Sequence, residues 1–184
     1  MADTNQTIQD FYTQALKRDF ARDFNFRLTS ILSPQGLFDF SDRDLVYLKA
    51  AKLPERAITN VPVPYMGLKF NVPGNATYPN SEGYQLQFYA DAKSKIRQAF
   101  EDWTRTIFDD KTSTGNYFVP GRDSIIDMIQ LDEQFKEIAH YKLIGVSVLN
   151  CGPLEYKIAE GVGNTVEFTA TISYHYWTRT SPGA

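Results

Sequence analysis

The sequence holds a single cysteine, Cys151, among its 184 residues. That rules out a disulfide within the chain and is consistent with a reducing compartment. Positive charge is not in excess: 19 Lys and Arg stand against 22 Asp and Glu, a formal charge of -3. No global field is therefore available to hold phosphates tightly. Long hydrophobic runs are missing too, and nothing approaches the roughly 20 apolar residues of a membrane-crossing helix. The N-terminal MADTNQTIQD lacks the basic-then-apolar order of a secretory signal. These absences exclude a disulfide scaffold and a tight nucleic-acid binder, and they predict a chain that is soluble when made.

A chain of this length fits one domain with one core. Ile8, Phe11, Ala15 and Leu16 recur at helical spacing beside Tyr12, which predicts a short N-terminal helix. Phe24, Phe26 and Leu28 then alternate with Asn25, Arg27 and Thr29, the period of a half-buried strand ending near Ser33-Pro34-Gln35-Gly36. LVYLKAAKLP reads as an extended run stopped by Pro54. In TNVPVPYMGLKFNVPGN, Pro62, Pro64 and Pro73 punctuate apolar residues, so this stretch is expected to form a loop and an edge strand.

Alternation returns at Tyr84, Leu86 and Phe88. The clearest helix follows, with Ile96, Ala99, Phe100, Trp103 and Ile107 as its apolar stripe and Asp91 as its N-cap. DDKTSTGNYFVPGRD reads as a long polar loop, mobile unless a neighbour holds it. Three runs then look extended: SIIDMIQL, HYKLIGVSVLN and TVEFTATISYHYW. Gly152-Pro153 and Gly161-Val162-Gly163-Asn164 supply turns between the last two. The expected fold is mainly β, a sandwich or partial barrel with one packed internal helix and a short N-terminal helix. The single domain spans 1–184: an arm over 1–23, a β core over 24–177 with its helix at 92–108, and a C-terminal tail over 178–184.

At LKAAKLPERAITNVPVPYMGLKFNVPGNATY the chain resembles the tail tube protein of T-even-type contractile-tailed phages: an extended run closes on Leu-Pro, and a proline-bearing loop enters a strand ending Asn-Val-Pro-Gly. FARDFNFRLTSI resembles that family's entry into its first strand, KIRQAFEDW its single helix, and VEFTATISYHYW its last strand. SPQGLFDFSDRD, DDKTSTGNYFVPGRD and the tail TRTSPGA depart from the family pattern. The resemblance implies a structural subunit of the virion, made in the host cytoplasm, whose strands join those of neighbours into stacked hexameric rings with a ring-shaped β-barrel. It also implies the partners: further copies of itself, the tail sheath protein, baseplate and tail terminator proteins, and the tape measure protein and genomic DNA inside the channel. A baseplate tube initiator, a tube terminator and the tube of a contractile secretion system share that pattern. A β-sandwich enzyme or ligand-binding module is the alternative from another class.

Sites for chemistry are sparse, and no catalytic, metal or cofactor-binding residue is expected. His140 and Cys151 stand at opposite ends of one expected strand, too far apart for a nucleophile and its base. His175 has no second ligand at metal-site spacing. Gly161 and Gly163 precede a strand, where a phosphate cradle needs a helix. Asp109-Asp110 and Asp42-Arg43-Asp44 read as solvated loop charges. For assembly, Ile8, Phe11, Leu16, Val63, Tyr65 and Met66 are the expected subunit contacts, being apolar without an obvious place in a single core. In the last strand, Val166, Phe168, Ala170, Ile172, Tyr174 and Tyr176 form one face and belong to the core. Glu167, Thr169, Thr171 and Ser173 share the opposite face with His175, small, polar and free of Lys and Arg, as a wall lining a DNA channel would be.

Overall fold

A computed structural model describes residues 7–15, 21–34, 40, 42–115, 120, 123–157 and 163–181. Two four-stranded antiparallel sheets face each other. The first runs β1 (Phe26–Leu32), β8 (Ile125–Leu131), β9 (Glu137–Ile144), β12 (Tyr176–Thr180). The second runs β10 (Ser147–Cys151), β11 (Glu167–Ser173), β5 (Tyr84–Tyr89), β2 (Leu48–Ala51). The core between them is drawn from alternate positions of both: Leu28, Ile126, Met128 and Leu143 on one side, Leu86, Phe88, Phe168, Ala170 and Ile172 on the other. The fold is mainly β, as the alternation predicts.

The internal helix α3 (Lys95–Ile107) buries Ile96, Phe100 and Trp103. Phe100 packs on Phe88 of β5, Phe168 of β11 and Phe40, which seats α3 against the core side of the second sheet. It starts three residues later than expected. Ser94, in the left-handed region, takes the N-cap position and makes no side-chain cap. Asp91 is not the N-cap, yet its carboxylate still accepts the Lys93 and Ile96 N–H groups, at 3.2 and 3.4 Å.

Two runs that read as single strands are each divided between the sheets. HYKLIGVSVLN breaks at Gly145 (φ +72°) into β9 and β10, and TVEFTATISYHYW breaks at Tyr174-His175 into β11 and β12. The two corners lie against each other: the His175 N–H donates to the Ile144 carbonyl at 3.0 Å. Alternation carries through a corner unmarked, because both flanking strands keep a core face. Tyr176, expected on the core face with Tyr174, is therefore exposed on the other sheet. The tail also begins later than residue 178, since Thr178, Arg179 and Thr180 pair with Lys142, Tyr141 and His140.

Smaller elements complete the chain. α1 (Ile8–Ala15) is the expected N-terminal helix, started by a reciprocal cap in which Thr7 N–H donates to Asp10 (3.0 Å) and Asp10 N–H to the Thr7 hydroxyl (3.2 Å). α2 (Asp42–Leu45) is a single turn not read from the sequence. The polar loop after α3 contains a two-residue ladder, β6 (Phe108–Asp109) with β7 (Thr114–Gly115). Its residues 116–119, 121 and 122 lie outside the described residues, as do Gly161 and Val162.

Candidate functional site

The proline-bearing stretch is a hairpin and not a loop. β3 (Ala57–Tyr65) pairs with β4 (Leu68–Thr77) as a sheet of its own, and every residue from 58 to 77 is exposed. Nine residues of strand reach about 30 Å. Its root is tied to the sandwich: the Trp177 indole donates to the Glu55 carbonyl at 3.1 Å, and the Tyr84 hydroxyl donates to the Lys52 carbonyl.

Register explains how three prolines fit. Met66 and Gly67, both at positive φ (47° and 82°), form a two-residue turn, which makes Tyr65 and Leu68 a hydrogen-bonded pair. Antiparallel pairs alternate, so Val63↔Phe70 and Val61↔Val72 are bonded while Pro64↔Lys69, Pro62↔Asn71 and Asn60↔Pro73 are not. Each proline thus sits where its missing N–H would have pointed outward. The sequence pattern suggested broken pairing because proline was weighed without its register.

The same register sorts the side chains. Val61, Val63, Tyr65, Leu68, Phe70 and Val72 fall on one face; Asn60, Pro62, Pro64, Lys69, Asn71 and Pro73 fall on the other. A two-stranded ribbon with one wholly apolar face is barely stable alone in water. A patch of this kind, standing clear of its own core, is a candidate interaction surface. Val63, Tyr65 and Met66 were expected contacts and are exposed here, Met66 at 85% on the tip. Val61, Leu68, Phe70 and Val72 were missed, although their alternation was readable. On α1, Ile8 and Phe11 are also exposed, 78% and 59%, while Leu16 lies outside the described residues.

The second surface is the outward side of the β10–β11–β5–β2 sheet. Cross-strand pairing sets Ala50, Gln87 and Thr169 in one row, Asn150, Thr171 and Gln85 in the next, and Ser147 beside Ser173. Glu167 carries the one negative charge of β11, and Lys49 neutralises it at 2.5 Å. The other sheet's outward side differs: Asp127 there accepts from Ser30 (2.7 Å) and pairs with His140 (3.0 Å), with Lys142 at 3.7 Å.

His140 and Cys151 stand on strands of different sheets and not on one strand. Cys151 lies against the Arg97 carbonyl at 3.7 Å, and burial pushes its thiol pKa up, away from the reactive thiolate. Asp109 accepts the Lys111 N–H at 2.9 Å in a local turn. No group of three or more His, Cys, Asp or Glu side chains among the described residues is placed to hold a metal ion. An open groove of about 840 Å³ runs between β1 and α2, lined by Phe24, Phe26, Leu28, Leu45, Val46 and Leu48, with Lys49 at its rim.

No protein-family model and no curated protein matches the chain. Solved structures do. A chain of the cryo-EM structure of the 6-fold symmetrised anti-feeding prophage baseplate superposes with a TM-score of 0.60 at 11% identity, over 91% of this chain and 99% of that one. A chain of the anti-feeding prophage tube-terminating cap gives 0.59 at 10%, over 98% and 99%. A chain from the sheath–tube complex of the extracellular contractile injection system PVC gives 0.56 at 7%, over 92% and 97%. At such identities the likeness is one of fold: this chain has the fold found in tube-associated parts of contractile injection particles.

Proposed function

We propose that the chain is a ring-forming structural subunit of a contractile tail tube, of the T-even phage type, whose stacked hexameric rings conduct DNA. The observation that carries this is the hairpin's apolar face. Val61, Val63, Leu68, Phe70 and Val72 are about half exposed, so covering what remains is worth about 1–1.5 kcal/mol for each. No surface of its own sandwich provides that cover among the described residues, so another subunit is the natural source. Open sheet edges add to the argument, since a closed ring of subunits pairs edges that would otherwise aggregate. The shared fold with chains of a baseplate, a cap and a sheath–tube complex supports the same reading, and with it sheath, baseplate and terminator proteins as partners; the tape measure protein and DNA would occupy the channel.

The outward face of the β10–β11–β5–β2 sheet, with Thr169, Thr171 and Ser173 at its centre and Glu167 at its edge, is our candidate for the channel wall. Its one cation among the described residues, Lys49, is neutralised locally, so it gives passing phosphates little to bind, whereas the opposite sheet displays Arg27 on its exposed side. The subunit turns over no substrate in this reading. A tube-terminating cap is the second reading, favoured by the full-length match to one.

Electron microscopy and sedimentation of the purified protein test the proposal. Open-ended tubes support the repeating subunit, and single closed rings support the cap. Phe70→Asp should leave a folded monomer of unchanged melting temperature that no longer assembles. A wild-type protein that stays monomeric at high concentration would remove both readings.

A further inference from the structure

The proline pattern makes the two edges of the hairpin unequal. In a non-hydrogen-bonded pair both the N–H and the C=O of each residue point away from the partner strand. From the register shift at Ile58/Asn60 to the tip, the outward residues of β3 are Asn60, Pro62 and Pro64, so this part of its edge offers carbonyls but only one N–H, that of Asn60. Along β4 they are Lys69, Asn71 and Pro73, so Lys69 and Asn71 each present a complete donor and acceptor set near the tip. Toward the tip β3 therefore cannot template a regular ladder, and β4 can.

Resting on the ring-subunit reading, we infer that the hairpin joins a second copy of this chain by strand addition at the β4 edge over Lys69–Asn71, and never at the β3 edge. The occupant follows from what a ladder requires. An extended strand with unpaired N–H and C=O groups must come alongside, and each copy carries four strands, β1, β12, β2 and β10, at the margins of its two sheets. Proline on one edge keeps the hairpin from adding strands on both sides near its tip, which would build an open-ended sheet in place of a closed ring. Main-chain bonds at Lys69 and Asn71 would set the position of the hairpin, and the apolar face would supply the burial. The junction is thus directional, which a purely apolar contact would not ensure.

Two proline variants separate the edges. Asn71→Pro removes an outward N–H from β4 and leaves every bond within the hairpin in place; Asn60→Pro does the same to the donor of β3 nearest the tip. Both should keep the wild-type circular dichroism spectrum. Asn71→Pro should raise the concentration needed for assembly about tenfold, the effect of losing one main-chain hydrogen bond and leaving its acceptor unpaired; Asn60→Pro should leave it unchanged. Amide exchange gives a second measure: on assembly the Lys69 and Asn71 amides should slow about tenfold or more while that of Asn60 does not. If wild type assembles and both variants assemble equally, or if the Asn60 amide is the one protected, the edge assignment is wrong and the ring reading survives. If wild type never assembles, the ring reading itself fails.

Discussion

Tyr84 and Tyr174 pack edge to face, 5.8 Å apart, yet their hydroxyls fare differently. Tyr84 donates to the Lys52 carbonyl, while the buried Tyr174 hydroxyl has no hydrogen-bond partner among the described residues. Leaving a buried hydroxyl unpaired costs about 1–3 kcal/mol, and a paired one contributes about 1. Tyr174→Phe should therefore be neutral or stabilising by up to about 1 kcal/mol, and Tyr84→Phe destabilising by about 1–2 kcal/mol, measured by urea titration. Burial pushes both phenol pKa values up. The sign follows: the folded state holds these protons more tightly, so their contribution is complete below the ordinary tyrosine pKa near 10 and is lost as pH rises beyond it. Alkaline denaturation of Tyr84→Phe should accordingly be less steep than that of wild type above pH ~10.

Between the sheets, the corners at Gly145 and Tyr174-His175 form one structural unit. Gly145 has a φ of +72°, and a Cβ placed there would lie 2.6 Å from Nδ1 of His175. Beside it, Ser124 accepts the Gly145 and Val146 N–H groups on its carbonyl and donates its hydroxyl back to Val146 at 2.5 Å. Gly145→Ala meets two obstacles, a backbone strain of about 1–3 kcal/mol and the clash with the ring. Adding His175→Ala should recover the steric part alone, so the double variant should melt above Gly145→Ala but below His175→Ala. Equal melting of the two Gly145 variants would show that the corners are independent. In the β3–β4 hairpin only the steric part applies, since a Cβ at Gly74 would lie 2.7 Å from Cγ2 of Val61 without a positive φ.

For the whole molecule, stability and assembly are separable. The core draws on both sheets and α3, while α1 leaves Ile8, Phe11 and Tyr12 exposed. Deleting residues before Asp23 should leave a cooperative unfolding transition close to wild type and abolish tubes; global unfolding by circular dichroism would make this segment part of the core. The channel proposal has its own test. Thr171→Lys repeats once per subunit in every ring, so a weak attraction for phosphate multiplies along the tube. Tails should keep normal length by microscopy, while DNA release should slow at low salt and recover as salt screens the charge. Unchanged release at low salt would move the channel wall elsewhere, and failure of tubes to form would make this face a subunit interface.

Period-two alternation and the Ile96–Phe100–Trp103 stripe were enough to read the sandwich strands and the packed helix, because which side of a local element is apolar depends only on residue spacing. The exposed Val63, Tyr65 and Met66 were legible for the same reason, as was the polar side of β11. Local spacing could not show that Gly145 and Tyr174-His175 hand the chain from one sheet to the other, since that depends on partners far away in sequence. Nor could it show that Pro62, Pro64 and Pro73 all fall in non-bonded pairs. A proline is a strand breaker or a harmless edge residue according to where its absent N–H would point, and only the register against β4 decides that.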